Sequence, residues 1–283
     1  MKNAPLSSVK AYVAAVSLPG MTKRQRILNA FLWRPARVAF LAAALPALNR
    51  RLAPGITVIV PIRDRTDERV ERLLKSLEDQ SLDRSLVRVC IVDYGSSPVH
   101  REKITQIGKR RGCTVIGVDG KTEWNRSDAI NQGLKNIRTR YLLVSDADLI
   151  FEKNYLAEAL GVLEGSPRTV AVSMMLDLPE ATPRLQQPYH RSIIAASLLP
   201  LLWIGGYDPA YRLWGREDDD LFFRLIAFGL RAKNISGKAR YYHQYHPKFE
   251  GMPQDGSFDD AKKRNEERFS QLRRWFRRGR DSG

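Results

Sequence analysis

Arg140-Tyr-Leu-Leu-Val-Ser145 runs directly into Asp146-Ala147-Asp148. The first six residues form a β-type run, so both aspartates are expected at the carboxyl end of a strand, the edge where open α/β sheets hold their ligands. Two hard oxygen donors one residue apart suit a divalent cation that bridges to a phosphate. Taken alone, Asp-x-Asp in a loop is as readily just a turn. Upstream of this stretch, strands and helices alternate. Ile56-Thr-Val-Ile-Val-Pro61 follows a boundary at Pro54-Gly55 and is a β-branched run of the kind buried in parallel sheets. Val70, Leu73, Leu74 and Leu77 then share a helical face. Val87-Arg-Val-Cys-Ile-Val-Asp93 is a second buried strand, stopped by Tyr94-Gly95-Ser96-Ser97. A helix over 98–111, a strand over 113–118 and a helix over 125–137 complete the run. This alternation predicts an α/β fold with a mostly parallel sheet and right-handed crossovers.

A second acidic cluster, Trp214-Gly215-Arg216-Glu217-Asp218-Asp219-Asp220, opens the helical pattern Leu221, Phe222, Arg224, Leu225, Ile226. Carboxylates there face the positive end of a helix dipole, and capping alone is the plainer account. Adjacent acids in this number exceed what a cap needs and repel one another. Trp214-Gly215 adds a flat apolar platform and a backbone free to approach a ligand. A metal-bound diphosphate at the first cluster and a general base at the second describe a sugar-nucleotide transferase. Between the clusters, 177–205 is interrupted by Pro179, Pro183, Pro188 and Pro200 although 193–204 is mostly apolar; part of it is expected to cover the donor or acceptor site.

At 283 residues the chain can bury a sizeable core. Cys90 and Cys113 sit in apolar runs without the spacing of a metal site or a disulfide framework, which favours a reducing compartment. The N-terminus lacks the plain apolar core of a secretory signal, and the apolar stretch 38–48 is broken by Pro46 and falls short of the roughly 20 residues a bilayer span needs. The net charge of +16 is uneven: residues 1–55 carry nine basic and no acidic side chains, residues 261–283 nine and three, and the middle 29 and 28. The excess therefore lies in two tails. Both are amphipathic, with stripes at Val9, Tyr12, Val13, Val16, then Ile27, Leu28, Phe31, Leu32, and at Phe258, Ala261, Phe269, Leu272, Phe276 with Trp275 beside them. Such helices suit an anionic membrane surface, which predicts a peripheral protein on the cytoplasmic, inner face. The alternative is that the stripes dock on the core. Nucleic acid is not expected as a partner, because no zinc finger, helix-turn-helix signature or aromatic RNA-binding strand motif accompanies the charge.

Pro61-Ile-Arg63-Asp-Arg65, Trp124-Asn125-Arg126-Ser127, Asp146-Ala147-Asp148, Trp214-Gly215-Arg-Glu217-Asp218-Asp219-Asp and His243-Gln-Tyr-His246-Pro occur in an order that resembles the β1,4-galactosyltransferases and related bacterial family-2-like glycosyltransferases. The resemblance covers 55–255 and implies a GT-A fold, a Rossmann-like nucleotide-diphospho-sugar transferase sheet. Residues 1–54 and 256–283 lie outside it as basic helical extensions. It implies that Pro61, Arg63 and Arg65 line the nucleotide, that Asp93 accepts a hydrogen bond from uracil, and that Arg126 holds a phosphate. A solvated Arg pair, a turn-forming Asp93 and an Arg126–Asp128 salt bridge are the structural alternatives. Asp148 would ligate the metal, Asp146 would touch the ribose or the metal through water, and Ala147 would line the nucleotide sugar. His243 and His246 supply the third ligand type; alternation along a strand puts them on opposite faces, so which ring binds stays open. Histidine favours Mn²⁺, with Mg²⁺ the alternative. Asp218 would be the base in a single displacement with inversion. Trp214 and Gly215 would meet the acceptor sugar, and Glu217 and Asp219 would orient its hydroxyls. The Gly-Gly segment that lines the donor sugar in that family has no counterpart near 193–199, since Gly205-Gly206 belongs to the turn before Tyr207, so the donor sugar stays open. The resemblance implies a UDP-sugar donor carrying a hexose or N-acetylhexosamine and a glycan or glycolipid acceptor. A nucleotidyl or sugar-phosphate transferase would need a Gly-rich loop after the first strand. A non-catalytic adaptor would not need 217–220 beside Trp214.

Overall fold

The computed structural model describes residues 44–183, 190–247 and 256–281. In chain order the elements are α1 (Leu45–Asn49), β1 (Ala53–Ile62), α2 (Glu68–Glu78), β2 (Val87–Tyr94), α3 (Pro98–Arg110), β3 (Thr114–Val118), α4 (Arg126–Leu134), β4 (Thr139–Val144), β5 (Leu149–Phe151), α5 (Tyr155–Gly165), β6 (Thr169–Ser173), β7 (Met175–Asp177), β8 (Thr182–Pro183), β9 (His190–Ser197), α6 (Leu198–Trp203), α7 (Glu217–Phe228), β10 (Arg231–Asn234), β11 (Tyr241–His243) and α8 (Ser257–Asp281).

Seven strands form the main sheet in the order β10-β6-β9-β4-β1-β2-β3, and only β9 runs against its neighbours. The pleat of β1 sorts its side chains: Ile56, Val58, Val60 and Ile62 enter one core layer with Leu73, Leu77, Ile104, Leu156 and Leu160 of α2, α3 and α5. Ile59 enters the opposite layer with Ala129, Ile130, Leu198, Leu221 and Leu225 of α4, α6 and α7. Burial on both faces explains why these strands read as unbroken apolar runs. Pro61 is tolerated in this central strand because pairing with β4 has ended at Ile59 by that point and only β2 still flanks it.

The structure departs from the sequence reading in three places. The apolar part of 177–205 is drawn into the sheet: Ile193, Ile194, Ala195 and Ala196 are buried in β9, wedged antiparallel between β4 and β6, and α6 follows. An antiparallel strand inside a parallel sheet needs no crossover helix, so the βαβ rhythm could not announce it. Pro54-Gly55 lies within β1 as an irregularity between Ala53 and Ile56, and Leu45 ahead of it is fully buried. The C-terminal stripe docks on the domain: Phe258, Ala261, Phe269 and Leu272 are buried, and Phe269 packs edge-on to Phe223 of α7. Those side chains are therefore not available to a bilayer. Lys263, Arg264 and Arg274 remain on the exposed face. The stripes of residues 9–32 lie outside the described residues, as do the side chains of Trp275 and Phe276. No helix among the described residues is long and apolar enough to cross a membrane.

A smaller sheet, β5-β11-β7-β8, stands beside the main one, with β11 antiparallel to β5 and parallel to β7. Its first strand begins at Leu149, the residue directly after Asp148.

At Gly55, φ is +95° and an added Cβ would stand 2.1 Å from the carbonyl oxygen of Leu86. Gly55→Ala is therefore expected to lower unfolding free energy by more than about 1 kcal/mol in urea denaturation; an unchanged midpoint would mean that β1 shifts freely at this position.

Candidate active site

The carboxyl ends of β1, β2 and β4 form one rim. After β1, Asp64 adopts a left-handed φ of 49°. Its carboxylate accepts from Ser97 N at 2.7 Å, and its own N–H donates to Ser96 Oγ at 2.8 Å, tying the loop after β1 to the loop after β2. Arg63 donates to Thr122 O at 3.0 Å. Asp93 ends β2 almost fully buried, accepting from Ser96 N at 3.1 Å and Arg101 Nε at 3.0 Å. Asp93 thus anchors the turn after β2 through Ser96 N.

Ala147 and Asp148 are buried beyond β4. Ligand atoms of Asp148, His243 and His246 all lie within 4.8 Å of one another. Strand alternation does not separate the histidines, because β11 ends at His243 and the chain turns: the ring centroids are 5.0 Å apart, and His246 Nε2 is 3.3 Å from Asp148 Oδ2. Arg65 Nη1 is 2.8 Å from the same oxygen. Burial pushes the Asp148 carboxyl up, but the His246 hydrogen bond and the charges of Arg65, His243 and His246 outweigh it, and the group is held below the usual carboxylate range. One carboxylate oxygen and two imidazoles fit a borderline divalent cation better than Mg²⁺, which prefers oxygen.

Arg126 stands at the centre. Asn125 caps α4 by accepting from Asp128 N at 2.9 Å, which places the Arg126 side chain at the first turn. The buried guanidinium binds Asp146 through Nε at 2.8 Å and Asp218 through Nη1 at 2.6 Å, with Glu217 at 3.7 Å. Burial works against its charge, but these carboxylates hold its pKa well above the ordinary value. The expected alternative partner, Asp128, instead receives Tyr94 Oη and Lys121 Nζ. Arg126 Nη2 and the hydroxyl of Tyr207, whose ring lies 5.9 Å from the guanidinium carbon, are buried without a hydrogen-bond partner among the described residues. Burial raises Asp218 well above the usual carboxylate value; Arg126 opposes this, while Glu217 and Asp146 reinforce it. Burial likewise raises Glu217.

The four acids of 217–220 point to different partners because successive helical residues turn about 100°. Glu217 and Asp218 face Arg126. Asp219 is held by Arg216 at 2.7 Å and by Arg191 at 3.3 Å, so both its oxygens are already engaged. Asp220, fully buried, pairs with Arg224 at 2.6 Å and accepts from Tyr211 at 3.1 Å. Arg216, the N-cap, makes no side-chain cap bond, whereas Glu217 accepts backbone hydrogen bonds at the helix start.

The loop before α7 carries left-handed φ at Leu213, Gly215 and Arg216, a concentration of strain that must be held from outside. The holding group is Asn265 of α8, which sequence reasoning missed. Its side chain donates to Arg212 O at 2.9 Å and Trp214 O at 3.0 Å and accepts from Arg212 N at 3.4 Å. Glu266 binds Arg216 at 2.8 Å. Trp214 stays half-exposed, its ring 6.5 Å from Phe258. The partners of Asn265 are more than fifty residues upstream, so no local signal marked it. Asn265→Ala leaves two carbonyls without these donors. It is expected to cost about 1–3 kcal/mol in thermal or urea unfolding and to alter tryptophan fluorescence. An unchanged spectrum and stability would remove the clamp.

A mostly parallel sheet with acidic motifs at its carboxyl rim, beside a second small sheet, is the GT-A architecture of glycosyltransferases. The chain belongs to glycosyl transferase family 2, matched over residues 57–217, and residues 192–247 match the N-terminal domain of galactosyltransferase. Human β-1,4-galactosyltransferase 1 is 31% identical over 151 residues, covering 50% of this chain and 36% of that protein; the Bos taurus protein is 30% identical over the same shares. The chain thus spans about a third of the length of these relatives. Among solved structures, GalNAc-T7 with UDP, GalNAc and Mn²⁺ superposes with a TM-score of 0.59 at 14% identity, over 69% of this chain and 44% of that one. S. aureus TarS gives 0.55 at 18% identity, over 69% and 37%.

Proposed function

We propose that this glycosyltransferase is metal-dependent and inverting, moving a hexose or N-acetylhexosamine from a UDP-sugar to a hydroxyl of a glycan or glycolipid. The observation that carries the reading is the joining, through Arg126, of the Asp146-Ala147-Asp148 loop to Asp218 at one rim of the sheet. The neighbours GalNAc-T7 and TarS, whose structures hold UDP, support the donor class.

Asp148, His243 and His246 would hold a divalent ion, and the GalNAc-T7 structure with Mn²⁺ supports Mn²⁺ in that place. Such an ion stabilises negative charge on a departing diphosphate. Arg126 Nη2 is the buried donor left for a phosphate oxygen. Arg63 and Arg65 flank the nucleotide side, the latter moving its charge from Asp148 to the donor. Asp218, across the rim, accepts the proton of the attacking acceptor hydroxyl, and Trp214 offers its exposed face to the acceptor sugar. Attack from the side opposite the leaving group inverts the anomeric centre. Glu217 and Asp219 orient the acceptor hydroxyls, Asp219 being held in place by Arg216 and Arg191.

The first step is a screen of UDP-sugars for Mn²⁺-dependent hydrolysis, which needs no knowledge of the acceptor. With the donor in hand, Asp218→Asn is expected to lower kcat by about 10²–10⁴ with donor affinity near normal. Weakened donor binding with kcat spared would give this aspartate another role. The base works only when deprotonated. Because its pKa is raised by burial, kcat should climb with pH through a limb lying above the ordinary carboxylate range. A limb at the ordinary value would assign the base elsewhere.

The basic face of α8 and the basic N-terminal residues support a peripheral location on an anionic, cytoplasmic membrane face. Reversing Lys263, Arg264 and Arg274 to Glu leaves the docked stripe intact. It is expected to weaken salt-sensitive binding to acidic liposomes, at about 1 kcal/mol per charge near the surface. Binding unaffected by the reversal, or preference for duplex DNA or RNA over liposomes, would count against the membrane.

A further inference from the structure

We propose that Asp177 is a positioning residue of the metal centre, holding the His243 imidazole by Nδ1 so that Nε2 is the nitrogen presented to the ion. This rests on the metal reading of Asp148, His243 and His246 above and adds to it a residue that does not itself bind the ion.

The small sheet supplies the geometry. β11 lies between β5 and β7. Antiparallel pairing sets His243 opposite Leu149, the neighbour of Asp148, and Gln244 N donates to Asp148 O at 2.9 Å. On the other side, parallel pairing sets His243 opposite Asp177, and Leu178 N donates to His243 O at 3.0 Å. The backbone at His243 is therefore tied from both flanks, and the register alone brings Asp177 to its side chain. His243 Nδ1 lies 3.1 Å from Asp177 Oδ1.

His246 is oriented in the same sense by a different acceptor. Its Nδ1 lies 2.9 Å from Pro247 O, while its Nε2 faces Asp148 Oδ2 at 3.3 Å. A carbonyl oxygen only accepts, so Nδ1 carries a proton; Nε2–H donates to Asp148 in this geometry, and Nε2 is the nitrogen that would lose its proton to bind an ion. A carboxylate acts likewise on neutral His243. With an ion bound, both rings would share one tautomer, with the metal-binding lone pair on Nε2. Gln244, between the histidines, donates to Arg69 O at 3.0 Å and accepts from Arg72 at 3.3 Å, which fixes the segment to α2. An acceptor behind the distal nitrogen also raises the basicity of the ligating one. Asp177 itself falls outside the three-residue cluster and is 36% exposed, so replacing it opens no buried hole.

The test uses the full chain, metal-free, titrated with Mn²⁺ alone by calorimetry and by the EPR signal of the free ion. The His243 tautomer is read by ¹⁵N NMR at a pH where the ring is neutral. Asp177→Ala is expected to weaken Mn²⁺ binding about 10–100-fold and to abolish the preference of His243 for the Nδ1–H tautomer. Asp177→Asn, whose amide oxygen still accepts, should retain most of both. Asp177→Ala with wild-type affinity and an unchanged tautomer overturns the proposal. So does Asp177→Asn binding as weakly as the alanine variant while the tautomer persists, since that pattern makes Asp177 a ligand. Wild-type protein that takes up no Mn²⁺ removes the metal reading itself, and that result is decided before any variant is measured.

Discussion

The guanidinium of Arg126 joins two carboxylates that the chain brings from separate elements, Asp146 at the end of β4 and Asp218 at the start of α7. Without it, two partly buried like charges would face one another across the rim with no counterion between them. The two acidic loops therefore share one counterion. That sharing makes the two acidic loops a single electrostatic unit. A group that draws Arg126 toward a phosphate also changes what Asp218 feels, because burial and the neighbouring Glu217 and Asp146 already push its proton affinity up. Arg65 plays a similar part at Asp148, standing 2.8 Å from an oxygen that the metal reading assigns to a cation.

Around this centre the structure spends its order on loops. The segment before α7 departs from ordinary backbone geometry at Leu213, Gly215 and Arg216, and it is held by Asn265 and Glu266 of α8. The C-terminal helix thus has two faces with different work. Its apolar face completes the wall on which Trp214 stands, and its exposed face keeps basic side chains in solvent. A helix of this composition reads as an extension only while its docking surface is unknown.

The first four strands along the chain, their apolar character and the rim position of Asp146 and Asp148 were legible because they follow from local rules. Pleat alternation, burial on both faces and loop placement at carboxyl ends act within a dozen residues. The same holds for the second acidic cluster as the opening of a helix. β9 was not legible, since an antiparallel insertion such as Ile193-Ile194-Ala195-Ala196 differs from a buried helix segment only by what lies on either side of it. Strand alternation also misjudged His243 and His246, because it presumed a strand that continues past residue 243.

The sequence by itself determined the fold class and the chemical inventory of the site: which residues carry oxygen, imidazole and guanidinium groups, and at which ends of which elements. Tertiary structure alone decided how those groups are paired. Arg126 chose Asp146 and Asp218 over its chain neighbour Asp128, Asp219 went to Arg191 and Arg216, Asp220 was withdrawn into the core by Arg224, and Asp177 met His243 through strand register. The physical reason is range. Propensity and periodicity act along the chain, whereas a buried charge takes the partner that packing puts within about 3 Å, whatever its distance in sequence.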